Sequence, residues 1–204
     1  DVPKLIYKLE NTGSDLVLGN RLNKSTKSNA MPFSHRYFGT PFLSFLINTF
    51  FSNSSNKIKD CNSGFRCFFK NKYNQWKPNS NGMEFASEML ILAQKNNAKI
   101  KELEIQLHSD IDGRIKHLKT WKDGMRHLLI ILSYCPSFFF KLSIIGFLFS
   151  WLILIASYIF GRQSIVTISI FDIHTMLFCA LLSFLSSSIW GIGMILEDPK
   201  NIKK

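Results

Sequence analysis

Residues 142–160 read LSIIGFLFSWLILIASYIF, and residues 176–196 read MLFCALLSFLSSSIWGIGMIL; neither stretch carries a charge. A helix crossing a bilayer needs roughly 20 mainly apolar residues at about 1.5 Å of rise each. Both runs meet that length. A helix apolar around its whole circumference must be wrapped by protein or by lipid, and a chain of 204 residues is too small to wrap two of them. These runs predict a membrane hairpin with spans over about 142–160 and 176–196. Lys141 precedes the first run, Lys200, Lys203 and Lys204 follow the second, and the turn between them holds only Arg162 and Asp172. The bias of Lys and Arg toward the cytoplasm then places both chain ends there and the turn outside.

Upstream of the hairpin the composition changes. Residues 1–141 hold 21 Lys and Arg against 11 Asp and Glu, so almost all of the net charge of +11 lies there. A basic soluble part followed by a membrane part is the organisation this implies. Cys61, Cys67, Cys135 and Cys179 show neither a CxxC pair nor a metal-site spacing, which suits free thiols in a reducing compartment. No leader peptide is visible and residue 1 is Asp, so the chain is expected to continue a longer protein.

Helix and strand alternate through the basic part. Leu5, Ile6 and Leu9 recur at helical spacing before Gly13, and Asp15 to Gly19 then reads as a short buried strand. Residues 20–34 are a polar loop. Residues 35–51, HRYFGTPFLSFLINTFF, form a Phe-rich helix that suits either a core or a bilayer surface. Asn62-Ser63-Gly64 marks a turn before the strand-like FRCFF, and residues 83–96 carry a helical apolar pattern. Over residues 101–107, Leu103, Ile105 and Leu107 alternate with Glu102, Glu104 and Gln106, the pattern of a half-buried strand. Leu118, Trp121, Met125, Leu128, Leu129 and Leu132 form one apolar face of a basic helix, with Lys119, Lys122, Arg126 and His127 elsewhere around it. Such a helix next to a span lies in the headgroup plane.

The chemistry-bearing residues are mostly cations at element ends: Arg21 after the first strand, Arg36 at the head of the Phe-rich helix, Arg66 after Gly64, and Arg114 in DGRIKH. Guanidinium forks bind phosphate bidentately. On a membrane-docked domain this suggests a phosphorylated lipid, the bland alternative being a solvated basic surface. Nucleic acid is disfavoured, because no helix-turn-helix, zinc module or RNP motif accompanies the charge. Residues 82–89, GMEFASEM, set Glu84 and Glu88 one helical turn apart. By themselves they could be a wet helix face, an acid and base pair, or ligands for a divalent ion.

The strings DLVLGNR, AMPFSHRYFGTPFLSFLINTFF, DCNSGFRCF, GMEFASEM, DGRIKHLKTWKDGMRHL and FDIHT, in this order, resemble membrane-anchored family 2 glycosyltransferases similar to polyprenyl-phosphate (dolichyl or undecaprenyl) sugar synthases. The resemblance covers essentially the whole chain. It implies an α/β fold, here the carboxy-terminal half of a GT-A (Rossmann-like) domain followed by a two-helix transmembrane hairpin. On that reading residues 1–117 are a partial catalytic domain, 118–137 an amphipathic juxtamembrane helix and 138–204 the hairpin with its basic tail.

The activity implied is transfer of a hexose, with inversion, from a UDP- or GDP-sugar to a polyprenyl phosphate at the cytoplasmic face of a bacterial inner membrane or endoplasmic reticulum. Arg21, Arg36 and Thr40 match acceptor-phosphate positions. Asp60 and Arg66 match residues near the sugar and diphosphate, Glu84 and Glu88 match the family's own carboxylates, and Arg114 and His117 match a basic loop of the donor site. The resemblance also implies Mg²⁺ or Mn²⁺ on the donor diphosphate, held by an Asp-x-Asp expected before Asp1; Asp110-Ile-Asp112 has those letters in a different segment. This stretch by itself is therefore expected to be inactive. The competing expectation is a non-catalytic membrane adaptor that binds lipid phosphate or a protein partner through its basic face.

A phosphate monoester is already ionised near neutral pH, its second pKa being about 6. Such an acceptor needs neutralisation and alignment and no strong base. Glu84 and Glu88 are accordingly expected to orient Arg66 or another cation, or to meet the sugar.

Overall fold

The computed structural model describes residues 1–22, 31–52, 57–107, 120–160, 164–165, 168–169 and 173–198. The chain divides into two compact units, Asp1–Ile131 and Leu132–Lys204.

The first unit is a mixed α/β layer. Helix α1 (Val2–Asn11) buries Leu5 and Leu9, one turn apart on its inner face, and Gly13 with φ +55° turns the chain into strand β1 (Leu16–Asn20). That left-handed turn favours glycine, which has no Cβ to clash. Every residue of β1 is buried. It lies between β2 (Arg66–Phe68), antiparallel with Leu18 opposite Arg66, and β3 (Ile100–Glu104), parallel with Leu18 opposite Glu102. Leu5 and Leu9 of α1 pack with Val17, Leu103 and Ile105 on one face of the sheet. The other face, which carries Leu16, Leu18 and Ile100, is buried as well. A central strand covered on both faces belongs to an α/β layer.

Helix α2 (Thr40–Phe51) continues from a π-helical turn at His35–Gly39. It buries Thr40, Leu43, Ser44 and Ile47, while Phe42 and Phe45 stand exposed along its outer side, next to exposed Phe38 in the π-helical turn. The two readings of the Phe-rich segment are thus both partly realised: one face is core and the aromatic face is bare. Helix α3 (Lys70–Trp76) is short, and α4 (Phe85–Lys95) buries Met89, Leu90, Ile91 and Ala93.

Helix α5 (Thr120–Ser133) leaves much of its expected apolar face exposed and buries a different one. Trp121 is 86% exposed, and Met125 and Leu129 are also exposed, whereas His127 and Ile131 are the buried positions. The helix therefore docks through a face on which the amphipathic pattern places a polar histidine. Of the expected apolar stripe, Trp121, Met125 and Leu129 stay open, Leu128 and Leu132 are half-buried, and Leu118 lies outside the described residues.

In the second unit, α6 (Pro136–Phe160) and α7 (Ile173–Glu197) pair along a stripe of small residues. Ser143 Oγ donates to the Ser186 carbonyl and Ser150 Oγ to the Cys179 carbonyl, both at 2.6 Å. Gly146 lies so close to Ser186 Oγ that an added Cβ would meet it at 2.5 Å, and a Cβ on Gly193 would meet Phe140 at 2.8 Å. Close backbone approach with hydroxyl cross-bonds is how helices pair in lipid. Only 11% and 17% of the most apolar windows of these helices are buried, less than in core helices of a soluble protein. Both are long and apolar enough to cross a bilayer. The turn between them holds a two-residue ladder of β4 (Ser164–Ile165) with β5 (Ile168–Ser169).

Candidate active site

Open parallel sheets bind ligands beyond the carboxyl ends of their strands. In the first unit β1 and β3 end together, Asn20 opposite Glu104, and the residues singled out in the sequence gather there only in part.

The centre is the irregular segment 58–61, whose backbone is held by side chains. On one side stands α2: Asn48 Oδ1 accepts from the Ile58 N–H at 2.9 Å, its amide donates to the Ile58 carbonyl at 2.7 Å, and Ser44 bonds the Lys59 carbonyl and the Cys61 N–H. Ser44 and Asn48 reach the same segment because they sit one helical turn apart. On the other side stands β3: Glu102 Oε1 accepts the N–H groups of Lys59 and Asp60 at 2.7 and 3.0 Å. Four successive N–H groups, 58 to 61, are thus satisfied without secondary structure, which a buried loop requires.

This cradle fixes Asp60, which is fully buried. Arg21, directly after β1, meets it as a fork: Nε donates to Oδ2 and Nη2 to Oδ1, each at 2.8 Å, and the Arg21 backbone N–H adds a third bond to Oδ2 at 3.1 Å. The bidentate geometry fixes the guanidinium plane as well as pairing the charge. Asp60, matched by resemblance to a position near the sugar, has both oxygens turned to Arg21. Chemically it acts as a holder of Arg21.

Arg66 lies beneath the same segment. Its Nε donates to the Ser63 carbonyl at 2.6 Å, Nη1 to Ala86 at 2.7 Å and Nη2 to Cys61 at 2.8 Å. Burial lowers its pKa to about 10, so it stays charged at neutral pH. These bonds clamp the 61–63 turn to the start of α4, and none goes to Glu84. Burial pushes the neighbouring Cys61 thiol up to about 12, which makes it inert as a nucleophile.

The two glutamates separate in role. Glu88 is 2% exposed, and its Oε2 accepts the backbone N–H groups of Asn79 and Ser80 at 3.1 and 2.7 Å, tying down the loop before α4. Glu84 stands at the N-cap of α4 with its carboxylate folded over Gly82, where a Cβ would meet Oε2 at 2.5 Å. Its Oε2 is buried with no hydrogen bond among the described residues. One residue from Glu88, Ser87 Oγ bonds His127 Nδ1 of α5 at 2.8 Å. Burial lowers the His127 pKa, with Glu84 and Asp123 pulling the other way and Arg66 reinforcing it.

Thr40 is 2% exposed and its hydroxyl faces Asn62, whose amide donates to it at 3.4 Å. Arg36 is half-buried, with its guanidinium carbon 5.8 Å from the centre of the Tyr37 ring. Arg114 and His117 lie outside the described residues. Of the remaining matched residues, Arg21 and Asp60 meet directly, Arg66 binds the same turn, and Arg36 and Thr40 flank the head of α2. A divalent ion does not fit the described residues: none forms a cluster of three His, Cys, Asp or Glu, and the Asp60 oxygens already face a guanidinium.

Glu102, Ser44, Asn48 and His127 were not among the candidates. The motif strings frame only the segments 58–68 and 82–89, while these four reach in from other elements. The one available signal was the polar pair Ser44 and Asn48 at helical spacing inside an otherwise apolar helix.

Among known proteins, the chain is 32% identical over 153 residues to the low-salt glycan biosynthesis hexosyltransferase Agl6 of Haloferax volcanii, covering 72% of this chain and 36% of the relative. It is 30% identical over 113 residues to the uncharacterized protein MJ1222 of Methanocaldococcus jannaschii, 52% of this chain and 43% of that one. It is 28% identical over 110 residues to a UDP-N-acetylglucosamine–dolichyl-phosphate N-acetylglucosaminyltransferase of Methanococcus voltae, 52% of this chain and 41% of the relative. No family model and no solved structure matches. The resemblance to glycosyltransferases read from the motif strings is borne out by relatives that carry that name, and the chain spans roughly two fifths of their length.

Proposed function

We propose that the protein containing this chain transfers a hexose from a UDP- or GDP-sugar to a polyprenyl phosphate at the cytoplasmic membrane face, on a GT-A catalytic domain. The observation that carries this reading is the Arg21 fork, fixed in plane by buried Asp60 where parallel β1 and β3 end, in a chain that also holds two helices fit to span a bilayer. The relatives named as a hexosyltransferase and as a dolichyl-phosphate transferase supply the reaction class.

On this reading the acceptor arrives as a dianion and needs its charge met in a fixed direction. With its Nε and Nη2 turned to Asp60, Arg21 has a fixed guanidinium plane whose charge would face the phosphate, and Arg36 at the head of α2 would add a second cation. The exposed Phe38 before α2, Phe42 and Phe45 of α2, and Trp121, Met125 and Leu129 of α5 would meet lipid, the company a bare apolar stripe beside basic residues takes. Mg²⁺ or Mn²⁺ on the donor diphosphate belongs to the same proposal, held by residues outside those described.

The acceptor scope tests the reading. Full-length protein is given UDP- and GDP-hexoses, Mg²⁺ or Mn²⁺, and either a polyprenyl phosphate or the matching polyprenol. A sugar-lipid product from the phosphate alone supports it. A product from the free alcohol, or no product from either, would overturn it, the second outcome favouring the adaptor.

A further inference from the structure

We propose that Glu102 is the positioning residue of the Arg21–Asp60 pair: its carboxylate holds the backbone that carries Asp60 and the residue that precedes Arg21. The inference rests on the proposed role of that pair, and its geometry stands separately.

Glu102 reaches both partners. Oε1 takes the N–H groups of Lys59 and Asp60, at 2.7 and 3.0 Å, so the Asp60 main chain hangs from this oxygen. Oε2 faces the Asn20 amide at 3.4 Å, and Asn20 in turn accepts the Leu22 N–H at 2.8 Å, bracketing Arg21 in the sequence. Asp60 and Arg21 thus owe their meeting to a third residue on a different strand. The strand register requires it: Glu102 pairs with Leu18 on parallel β1, two residues short of Asn20, so its side chain projects beside the strand end.

The two oxygens divide the work: Oε1 holds the 59–60 backbone and Oε2 makes the longer contact to Asn20. Glutamine keeps the Oε1 acceptor and loses the charge and the Oε2 contact; alanine loses everything. Burial raises the Glu102 pKa, the Lys59 and Asp60 N–H groups oppose that rise, and the Asp60 charge adds to it while Lys59 subtracts. From α1, Lys8 Nζ bonds the Glu102 main-chain carbonyl at 2.8 Å. Burying this carboxylate costs solvation, which its bonds to the Lys59 and Asp60 N–H groups offset.

The test compares full-length unaltered protein with Glu102→Ala and Glu102→Gln in two readouts: hydrogen exchange of residues 57–61, and the rate of sugar transfer to polyprenyl phosphate. Exchange at 57–61 is expected to rise at least tenfold in Glu102→Ala and to stay within threefold in Glu102→Gln. Transfer near pH 7.5 is expected to fall tenfold or more in the first and to be largely rescued in the second. Unchanged exchange in Glu102→Ala, or transfer as low in Glu102→Gln as in Glu102→Ala, overturns the inference. If Glu102→Ala does not fold, Glu102→Asp, a carboxylate one methylene too short for both contacts, takes its place in both readouts. If the unaltered protein transfers no sugar, the reaction fails, and the exchange readout alone still decides whether Glu102 holds the segment.

Discussion

Arg21 and Asp60 are joined by two parallel N–H to carboxylate bonds of 2.8 Å, on a carboxylate that is fully buried and an arginine whose side chain keeps 21% of its surface. The pair therefore has a dry side and a wet side. Removing one member of a buried pair costs about 3–5 kcal/mol, and the partial exposure of Arg21 reduces that to roughly 2 kcal/mol or more. A double-mutant cycle of Arg21→Met and Asp60→Asn, read by chemical denaturation, is predicted to show coupling above about 1 kcal/mol. Additive single effects would mean that the fork does not bind as drawn.

Arg66 is predicted to be needed for folding. Its three donors satisfy the carbonyls of Cys61, Ser63 and Ala86, and each buried acceptor left unpaired costs roughly 1–3 kcal/mol. Lysine cannot reproduce a planar fork toward three directions. Arg66→Lys should lower the denaturation midpoint substantially, and a midpoint within error of the unaltered protein would count against the clamp.

The docking of α5 on α4 is predicted to weaken on acidification. The His127 pKa is depressed below its ordinary 6.5 by burial, so the undocked state takes up the proton first. The stabilisation from His127 is thus present above pH of about 6.5 and is lost as pH falls toward its folded value. Glu84 and Asp123 soften the loss and Arg66 sharpens it. Hydrogen exchange across residues 120–131 should rise between pH 7 and pH 5.5 in the unaltered protein. In His127→Asn the same segment should show no such pH step.

The hairpin is predicted to depend on its small residues. A leucine at Gly146 would drive into Ser186 Oγ, and one at Gly193 into the Phe140 ring, which itself lies tilted against Trp190 with the ring centres 4.7 Å apart. Either change should separate α6 from α7, read as lost cross-linking between cysteines placed at 143 and 186. Efficient cross-linking in Gly146→Leu would contradict the packing. By contrast, Ser150→Ala should be mild, because hydroxyl bonds between helices in lipid average about 0.6 kcal/mol.

Much of the architecture was legible because it rests on periodicity. The α1 spacing of Leu5 and Leu9, the strand at 16–20, the helix over 85–95 and both long apolar helices follow directly from spacing and length. Both spans begin earlier than their uncharged runs, at Pro136 and Ile173, because a single Lys141 or His174 does not interrupt a helix. What periodicity does not reveal is what lies against a face. The alternation at 101–107 places Glu102 on the polar side of its strand, yet that side is covered by residues 58–60, more than forty positions earlier. The α5 pattern likewise sorts His127 with the polar residues, although Ser87 of α4 makes that face the docking one. Arg66 reads as a phosphate fork until three carbonyls are found around it.

The most direct measurement is incorporation of labelled hexose from a UDP- or GDP-sugar into polyprenyl phosphate by the full-length protein, beside its Arg21→Ala variant with retained fold. The account predicts a sugar-lipid product from the unaltered protein and a loss of a hundredfold or more in the variant, about 2.7 kcal/mol at tenfold per 1.36 kcal/mol. Equal incorporation by the two proteins would contradict it.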